Sequence, residues 1–342
     1  MLESADVKSS EQTAALDGRA LSPTGRAAIH SIAIELPPGR LTSAQLADRL
    51  GLSEDWILTR TGIRERPMAG VDERLSDYSA RAGAAALRRA GIDASDLDLV
   101  IVATLSQDEL TPNAAPLVAN ALGAHRAGAF DVGAACTAFL SAVAVAAAQI
   151  ESGRSRWVLV VGADFITRLI NWEDRKSAPL FGDAAGAAVL GPASSEHGVI
   201  GPIVLGADGS HRDTIIIRHS DRKIEMDGPE VYKHAVARMA ESTLAATERA
   251  GLTLEEIDLF VYHQANARIT RALGERLGVD PERVVDCIES YGNSSAATLP
   301  LALVTAERDG RLKPGARVLL GAFGGGFTWG GGVIEWGGSG NA

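Results

Sequence analysis

Arg89-Ala90-Gly91-Ile92, followed by Asp98-Leu99-Val100-Ile101-Val102, is met again as Arg249-Ala250-Gly251-Leu252 followed by Asp258-Leu259-Phe260-Val261-Tyr262. Both pieces recur at an offset of 160 residues, and the same offset carries Val158-Leu159-Val160 onto Val318-Leu319-Leu320. A third pairing, Phe181 to Leu190 with Phe327 to Trp336, keeps the order at a shorter offset. Such repetition means that one supersecondary unit is used twice.

Each unit reads the same way. An alanine-rich helix (about 76–90 and 230–250) ends at a glycine, which closes helices by taking the left-handed conformation. An apolar strand follows (98–104 and 258–263), then a loop and a second alanine-rich helix (136–152 and 294–308). A second apolar strand (157–162 and 316–321), a glycine-rich turn and a last strand complete the unit. Strands that are apolar throughout and alternate with helices belong to a sheet covered on both faces. The expectation is a duplicated α/β fold with layers of helix and sheet. Its halves are 26–198 and 199–342, divided near Gly198 to Gly201, with no low-complexity linker to separate them. The polar segment 1–25 is expected to be a flexible extension.

Composition narrows the function. The 342 residues are 46% hydrophobic and 22% charged, which suits a sizeable core and excludes a disordered chain. A net charge of −10 argues against a nucleic-acid binder. Ala134 to Ile150 is the most apolar stretch, but it is short and broken by Thr137, Ser141 and Gln149, so no membrane span is expected. No signal-peptide core opens the chain. The two cysteines, Cys136 and Cys287, exclude a disulfide framework and a multi-cysteine zinc site. The seven histidines form no His-Glu-x-x-His pattern, so no metal is expected. These features predict a cytoplasmic protein in which one thiol is special.

Three segments could carry chemistry. Cys136 follows Asp131-Val132-Gly133-Ala134-Ala135 and opens an alanine helix, where the helix dipole is expected to lower the thiol pKa. His263, in Tyr262-His263-Gln264-Ala265-Asn266, ends a buried strand, at the edge where α/β sites form. Asn293, in Tyr291-Gly292-Asn293-Ser294-Ser295, precedes the second helix of its unit. Taken singly, they read more readily as a core cysteine, a structural histidine and a helix cap. Pseudo-twofold symmetry brings the three together between the halves, and a thiol, an imidazole and an amide in one cleft fit acyl transfer. Gly324-Gly325-Gly326 lacks the Gly-Lys-Ser/Thr ending of a P-loop and reads as a tight turn whose bare N–H groups approach a ligand.

At these residues the chain resembles the β-ketoacyl-acyl carrier protein synthase III family of thiolase-like condensing enzymes. The resemblance runs over about residues 28–336. It is carried, in order, by Trp56 with Thr59-Arg60-Thr61-Gly62-Ile63-Arg64, the Cys136 segment, Phe181-Gly182-Asp183-Ala184-Ala185-Gly186, His263-Gln264-Ala265-Asn266, Gly292-Asn293-Ser294-Ser295-Ala296-Ala297 and Gly324-Gly325-Gly326-Phe327-Thr328-Trp329-Gly330. Thiolases are less similar, having a second catalytic cysteine where this chain has Asn293.

The resemblance implies a thiolase-like, duplicated α-β-α-β-α fold and a homodimer. It implies decarboxylative condensation of an acyl-CoA starter with malonyl-acyl carrier protein, initiating fatty-acid synthesis, with Cys136, His263 and Asn293 as catalytic residues. The N–H groups of Cys136 and Gly325 would form the oxyanion hole. Trp56, Arg60 and Arg175 would hold CoA, Phe323 would sit beside the cysteine and histidine, and Thr111 would reach the partner's acyl pocket. Lys233, Arg268 and Arg276 would dock the carrier protein. No metal or redox cofactor is implied. Two departures, Thr137-Ala138 after the cysteine and Pro229 in Met226 to Glu230, touch the acyl tunnel and leave chain length open. The alternatives are a secondary-metabolism paralogue, choosing a polyketide starter or acting as an acyltransferase, and a non-catalytic partner subunit.

Overall fold

The computed structural model describes residues 25–337. The expected extension therefore lies outside the described residues except for Gly25. Chain order runs β1 (Ala27–Glu35), β2 (Arg40–Thr42), α1 (Ser43–Leu50), α2 (Glu54–Thr61), β3 (Glu65–Pro67), α3 (Leu75–Ala90), β4 (Leu99–Ala103), α4 (Ala114–Leu122), β5 (Gly128–Val132), α5 (Ala138–Glu151), β6 (Val158–Phe165) and β7 (Asp183–Pro192). It continues with β8 (Gly198–Ala207), β9 (Ile215–Ile217), β10 (Ile224–Met226), α6 (Gly228–Arg249), β11 (Leu259–Tyr262), α7 (Ala267–Leu277), α8 (Ile288–Tyr291), α9 (Thr298–Arg308), β12 (Arg317–Gly324) and β13 (Thr328–Trp336).

Two main sheets result, ordered β1-β7-β6-β4-β5 and β11-β12-β13-β8. Leu99 pairs with Val158 in parallel β4 and β6, and Leu259 pairs with Val318 in parallel β11 and β12. The pairing register thus repeats at the 160-residue offset of the sequence. The last strands depart from the sequence pairing. Leu190 faces Val158 and Ile334 faces Val318, so the counterpart of Leu190 is Ile334 and not Trp336. A slip of two leaves every side chain on its own face, which is why the apolar pattern could not detect it.

Five layers follow from where the apolar faces go. The inner helices α5 and α9 share one core with both sheets: Phe139, Val143, Leu299 and Leu303 pack with Ile101 and Val160 of one sheet and Val261 and Leu320 of the other. Helices α3 and α4 cover the outer face of the first sheet, placing Leu75, Ala82 and Val118 against Val100 and Val161. Helices α6 and α7 do the same for the second, through Met239 and Leu273 against Phe260 and Leu319. With both faces covered, β4, β6 and β11 are buried at every residue, as their uniform apolarity required.

Local chemistry sets the element ends. Gly91 and Gly251 take φ of +66° and +71° just after α3 and α6, as the repeated Ala-Gly step predicted. No residue of its own caps α3 or α4. Asp108 accepts from the N–H groups of Leu75 and Ser76 at 2.9 and 3.0 Å, and Asp131 from those of Ala114 and Ala115 at 2.9 and 2.7 Å. Each carboxylate also meets the positive end of a helix dipole. Among the described residues no helix is long and apolar enough to cross a membrane.

The inner helices do not begin as α-helix. Each starts from a tight 3-10 turn, Ala135–Thr137 and Ser295–Ala297. Their first residues, Ala135 and Ser295, have φ of +46° and +50°, a left-handed conformation uncommon outside glycine. Each turn abuts a strand of the opposite half. A Cβ on Gly162 of β6 would lie 2.4 Å from the Ala296 carbonyl oxygen, and one on Gly324 of β12 would lie 2.7 Å from the Cys136 backbone nitrogen. Backbone has no free rotor to move aside. Gly162→Ala is therefore expected to cost about 2 kcal/mol or more in urea unfolding. A loss below about 0.5 kcal/mol would show that the halves are not packed this tightly.

Candidate active site

A cavity of about 1320 Å³ opens at the carboxyl ends of the parallel strands and is lined from both sheets. Cys136 enters it from the turn before α5, His263 from the end of β11, and Asn293 and Ser295 from the approach to α9. Phe323, Gly324 and Gly325 enter from the end of β12. The three residues singled out by the sequence thus share one cavity. At the 160-residue offset, however, the counterpart of Cys136 is Ala296, and that of Asn293 is Gly133.

The motifs hold one another. The Asn293 backbone donates to Leu180 O at 2.8 Å and accepts from the N–H of Gly182 at 3.1 Å, so the Phe181-Gly182-Asp183 segment fixes its place. Asn293 Oδ1 accepts from the Ser295 N–H at 2.9 Å, which leaves Nδ2 as the donor. His263 donates its backbone N–H to Gly321 O at 2.8 Å, and its Nδ1 pairs with Thr298 Oγ1 at 2.6 Å. Gln264 is buried and fully engaged: its Nε2 donates to Tyr262 O and Val285 O, and its Oε1 accepts from the Cys287 N–H. Cys287 itself is buried in the inner core.

Next to Cys136 lies a carboxylate that the sequence reading missed. Asp164, fully buried at the end of β6, accepts through Oδ1 from Thr104 Oγ1, the Leu105 N–H and Ser106 Oγ at 3.0, 2.9 and 2.7 Å. Its Oδ2 accepts from the Ala296 N–H of the other half at 3.1 Å. The Ser295 hydroxyl is near enough to the Cys136 thiol and the Asp164 carboxylate to favour their charged forms, yet it completes no hydrogen bond. An acidic residue ending an apolar strand, Gly162-Ala163-Asp164, was the available signal.

Electrostatics reverse one expectation. Burial pushes the Cys136 thiol up to about 12; the Ser295 hydroxyl opposes the rise and the Asp164 charge adds to it. Cys136 sits in the 3-10 turn ahead of α5, and the loss of water there is the largest cause of the rise. Burial likewise holds His263 down at about 3. The resting pair is a neutral thiol and a neutral imidazole.

The outer cavity carries the other expected residues unevenly. Trp56, Arg60 and Arg175 line it, and the Arg60 guanidinium lies 4.3 Å over the Trp56 ring. Asn266 Nδ2 donates to Arg60 O at 3.0 Å, so the His263 motif also fixes the end of α2. Arg268 and Pro229 line the cavity as well. Lys233 does not; it is exposed, 3.8 Å from Glu230. Arg276 is exposed in the last turn of α7, about 12 Å along the helix from Arg268. Thr111 is exposed and outside this chain's cavity, although Gln107 and Leu110 line it. Sequence reading missed the β9–β10 hairpin, which supplies Ile215, Ile217 and Ile224 to the wall and Arg218 and Arg222 to the lining. The lining holds Arg60, Arg175, Lys176, Arg218, Arg222 and Arg268 against Asp213, Glu225 and Asp227, a local cationic excess in a chain of net charge −10.

Layered, duplicated halves around a cysteine, a histidine and an asparagine define a thiolase-like fold equipped for acyl transfer. Two family profiles match: 3-oxoacyl-[acyl-carrier-protein] synthase III over residues 130–209, and its C-terminal region over residues 247–336. The chain is 43% identical over 302 residues to β-ketoacyl-[acyl-carrier-protein] synthase III of Listeria welshimeri, covering 88% of this chain and 96% of the relative. The crystal structure of 3-oxoacyl-[acyl-carrier-protein] synthase III from Aquifex aeolicus VF5 superposes with a TM-score of 0.88 at 38% identity, over 91% of this chain and 100% of that one. The priming β-ketosynthase of the R1128 polyketide pathway gives 0.88 at 36%, over 94% and 99%. The chain belongs to the β-ketoacyl-[acyl-carrier-protein] synthase III family and is an enzyme of the condensing type.

A thiol raised this far is scarcely ionised at neutral pH, and the thiolate is the nucleophile. Iodoacetamide labelling of Cys136, corrected with Cys136→Ser, should accelerate about tenfold per unit from pH 7 to pH 10. A plateau below pH 8 would mean a thiolate already formed at rest.

Proposed function

We propose that this chain catalyses decarboxylative Claisen condensation of an acyl-CoA starter with malonyl-acyl carrier protein, the step that initiates fatty-acid synthesis. The observation that carries the reading is the convergence of Cys136, His263 and Asn293 in one cavity lined by both halves. Cys136 attacks the starter thioester and takes its acyl group, releasing CoA. The N–H groups of Cys136 and Gly325 face the developing oxyanion; the close approach of Gly324 to the Cys136 nitrogen supports this placement. Losing one such donor typically costs about 10²–10³-fold in rate.

Malonyl-acyl carrier protein then enters, and His263 and Asn293 hydrogen-bond its thioester carbonyl. Charge gathers there as carbon dioxide leaves, and the enolate carbon attacks the acyl-cysteine. Loss of carbon dioxide supplies the driving force. Trp56, Arg60 and Arg175 hold the CoA nucleotide, supported by their place in the lining. The cationic lining also suits an acidic carrier despite the overall charge of −10. Arg268 fits that docking role directly, with Lys233 and Arg276 as an outer rim.

The enzyme is proposed to work in the cytoplasm as a homodimer. Support for the dimer is the edge strand β5, which among the described residues pairs only with β4, exposes Phe130 and lies in the same half as the exposed Leu110. A monomer by light scattering would contradict it. A polyketide-priming role is the second reading, supported by the 36% identity and TM-score of 0.88 to the R1128 enzyme.

Incubation with acetyl-CoA is expected to raise the protein mass by one acetyl group, and Cys136→Ala to abolish the gain. Asn293→Ala should still accept the group yet lose condensation by about 10²-fold or more. Label at another residue, or condensation untouched by Asn293→Ala, would overturn these roles. A panel of longer acyl-CoAs reads starter preference from the same measurement.

A further inference from the structure

The polar side-chain atoms of His263 and Asn293 are engaged from one short segment, 295–298. Thr298 Oγ1 lies 2.6 Å from His263 Nδ1 and donates to the Ser295 carbonyl at 2.9 Å. A hydroxyl has one proton, and a carbonyl can only accept. With that proton committed to Ser295 O, the Thr298 oxygen can only accept from the imidazole. Burial keeps His263 neutral, so its ring carries a single N–H.

We propose that Thr298 is a positioning residue that fixes His263 as the Nδ1–H tautomer, leaving Nε2 as a bare acceptor in the cavity that takes the Cys136 proton. This rests on the condensing reading above. The same segment gives Asn293 the opposite polarity: the Ser295 N–H engages Oδ1 at 2.9 Å and leaves Nδ2–H as a donor. At rest the cavity therefore presents one acceptor and one donor, which are not interchangeable.

Proton bookkeeping then closes for both half-reactions. In acylation the Cys136 S–H proton passes to Nε2, the sulfur bonds to the acyl carbon, and the bond from that carbon to the CoA sulfur breaks. The departing CoA sulfur takes the proton from Nε2. Condensation consumes one proton overall, because the malonyl carboxylate leaves as carbon dioxide and Cys136 is regenerated as a thiol. That proton is taken up from solvent onto Nε2 as the malonyl carboxylate enters, and from there it hydrogen-bonds the malonyl carbonyl beside Asn293 Nδ2. It passes to the Cys136 sulfur when the new carbon–carbon bond displaces it.

The tautomer is read directly by NMR of the wild-type enzyme labelled with nitrogen-15 histidine, the His263 signals being those missing from His263→Ala. Expected are a protonated Nδ1 and a bare Nε2. Thr298→Val keeps the shape but loses the hydroxyl, and acylation by acetyl-CoA should slow about 10–100-fold with KM little changed. Thr298→Ser should restore most of that rate. A protonated Nε2 in the resting wild type, or Thr298→Val acylating at the wild-type rate, overturns the proposal even while Cys136 is acylated normally. Wild-type protein that takes no acyl group at Cys136 instead sinks the condensing reading and the base role together, whichever tautomer is found.

Discussion

The site depends on a contact made twice, in which a tight turn of one half rests against the end of a strand of the other. In the first version the Ala296 N–H meets the Asp164 carboxylate at 3.1 Å. In the second, Gly324 lies against the Cys136 backbone nitrogen, with no room for a Cβ. At the 160-residue offset Asp164 corresponds to Gly324 and Ala296 to Cys136, so one ancestral contact has taken two forms. The carboxylate version ties the halves together through the Ala296 N–H, and although three further donors lower the cost, burial still pushes the Asp164 carboxyl above the usual carboxylate range. The glycine version brings bare backbone beside Cys136. Neither exists unless the halves are packed, so the fold and the site form together.

Much of this was legible in the sequence because duplication leaves marks in it. The Ala-Gly helix ends and uniformly apolar strands placed the layers, and symmetry gave a physical reason for Cys136, His263 and Asn293 to meet. The remainder lies in quantities a sequence does not carry. A two-residue slip between β7 and β13 preserves the apolar face and so is silent. The 3-10 start of α5 depends on a left-handed Ala135, which no propensity favours. The loss of water that raises the Cys136 thiol is a property of the assembled cavity, and a dipole argument made on one helix cannot contain it. Ser295 and Thr298 carry no mark in the sequence, and what they do comes only from the groups they face.

Charge is distributed to similar effect. The chain repels other acidic proteins at long range, yet the cavity lining gathers Arg60, Arg175, Lys176, Arg218, Arg222 and Arg268. Beyond about 8–10 Å such fields are screened at physiological salt, so a local cluster governs what enters. Deeper in, the neutral thiol and imidazole leave Cys136 and His263 without a standing charge pair at rest.

The central claim is that the acyl group waits on Cys136 and leaves it only for a decarboxylating malonyl unit. Its most direct measurement is a chase. Enzyme loaded with radiolabelled acetyl-CoA is freed of CoA, mixed with unlabelled malonyl-acyl carrier protein, and the label is followed in time. The account predicts that label leaves the protein and arrives stoichiometrically in 3-oxobutanoyl-acyl carrier protein, with one carbon dioxide released per turnover. Label that remains on the protein, or that leaves only when CoA is returned, would contradict it.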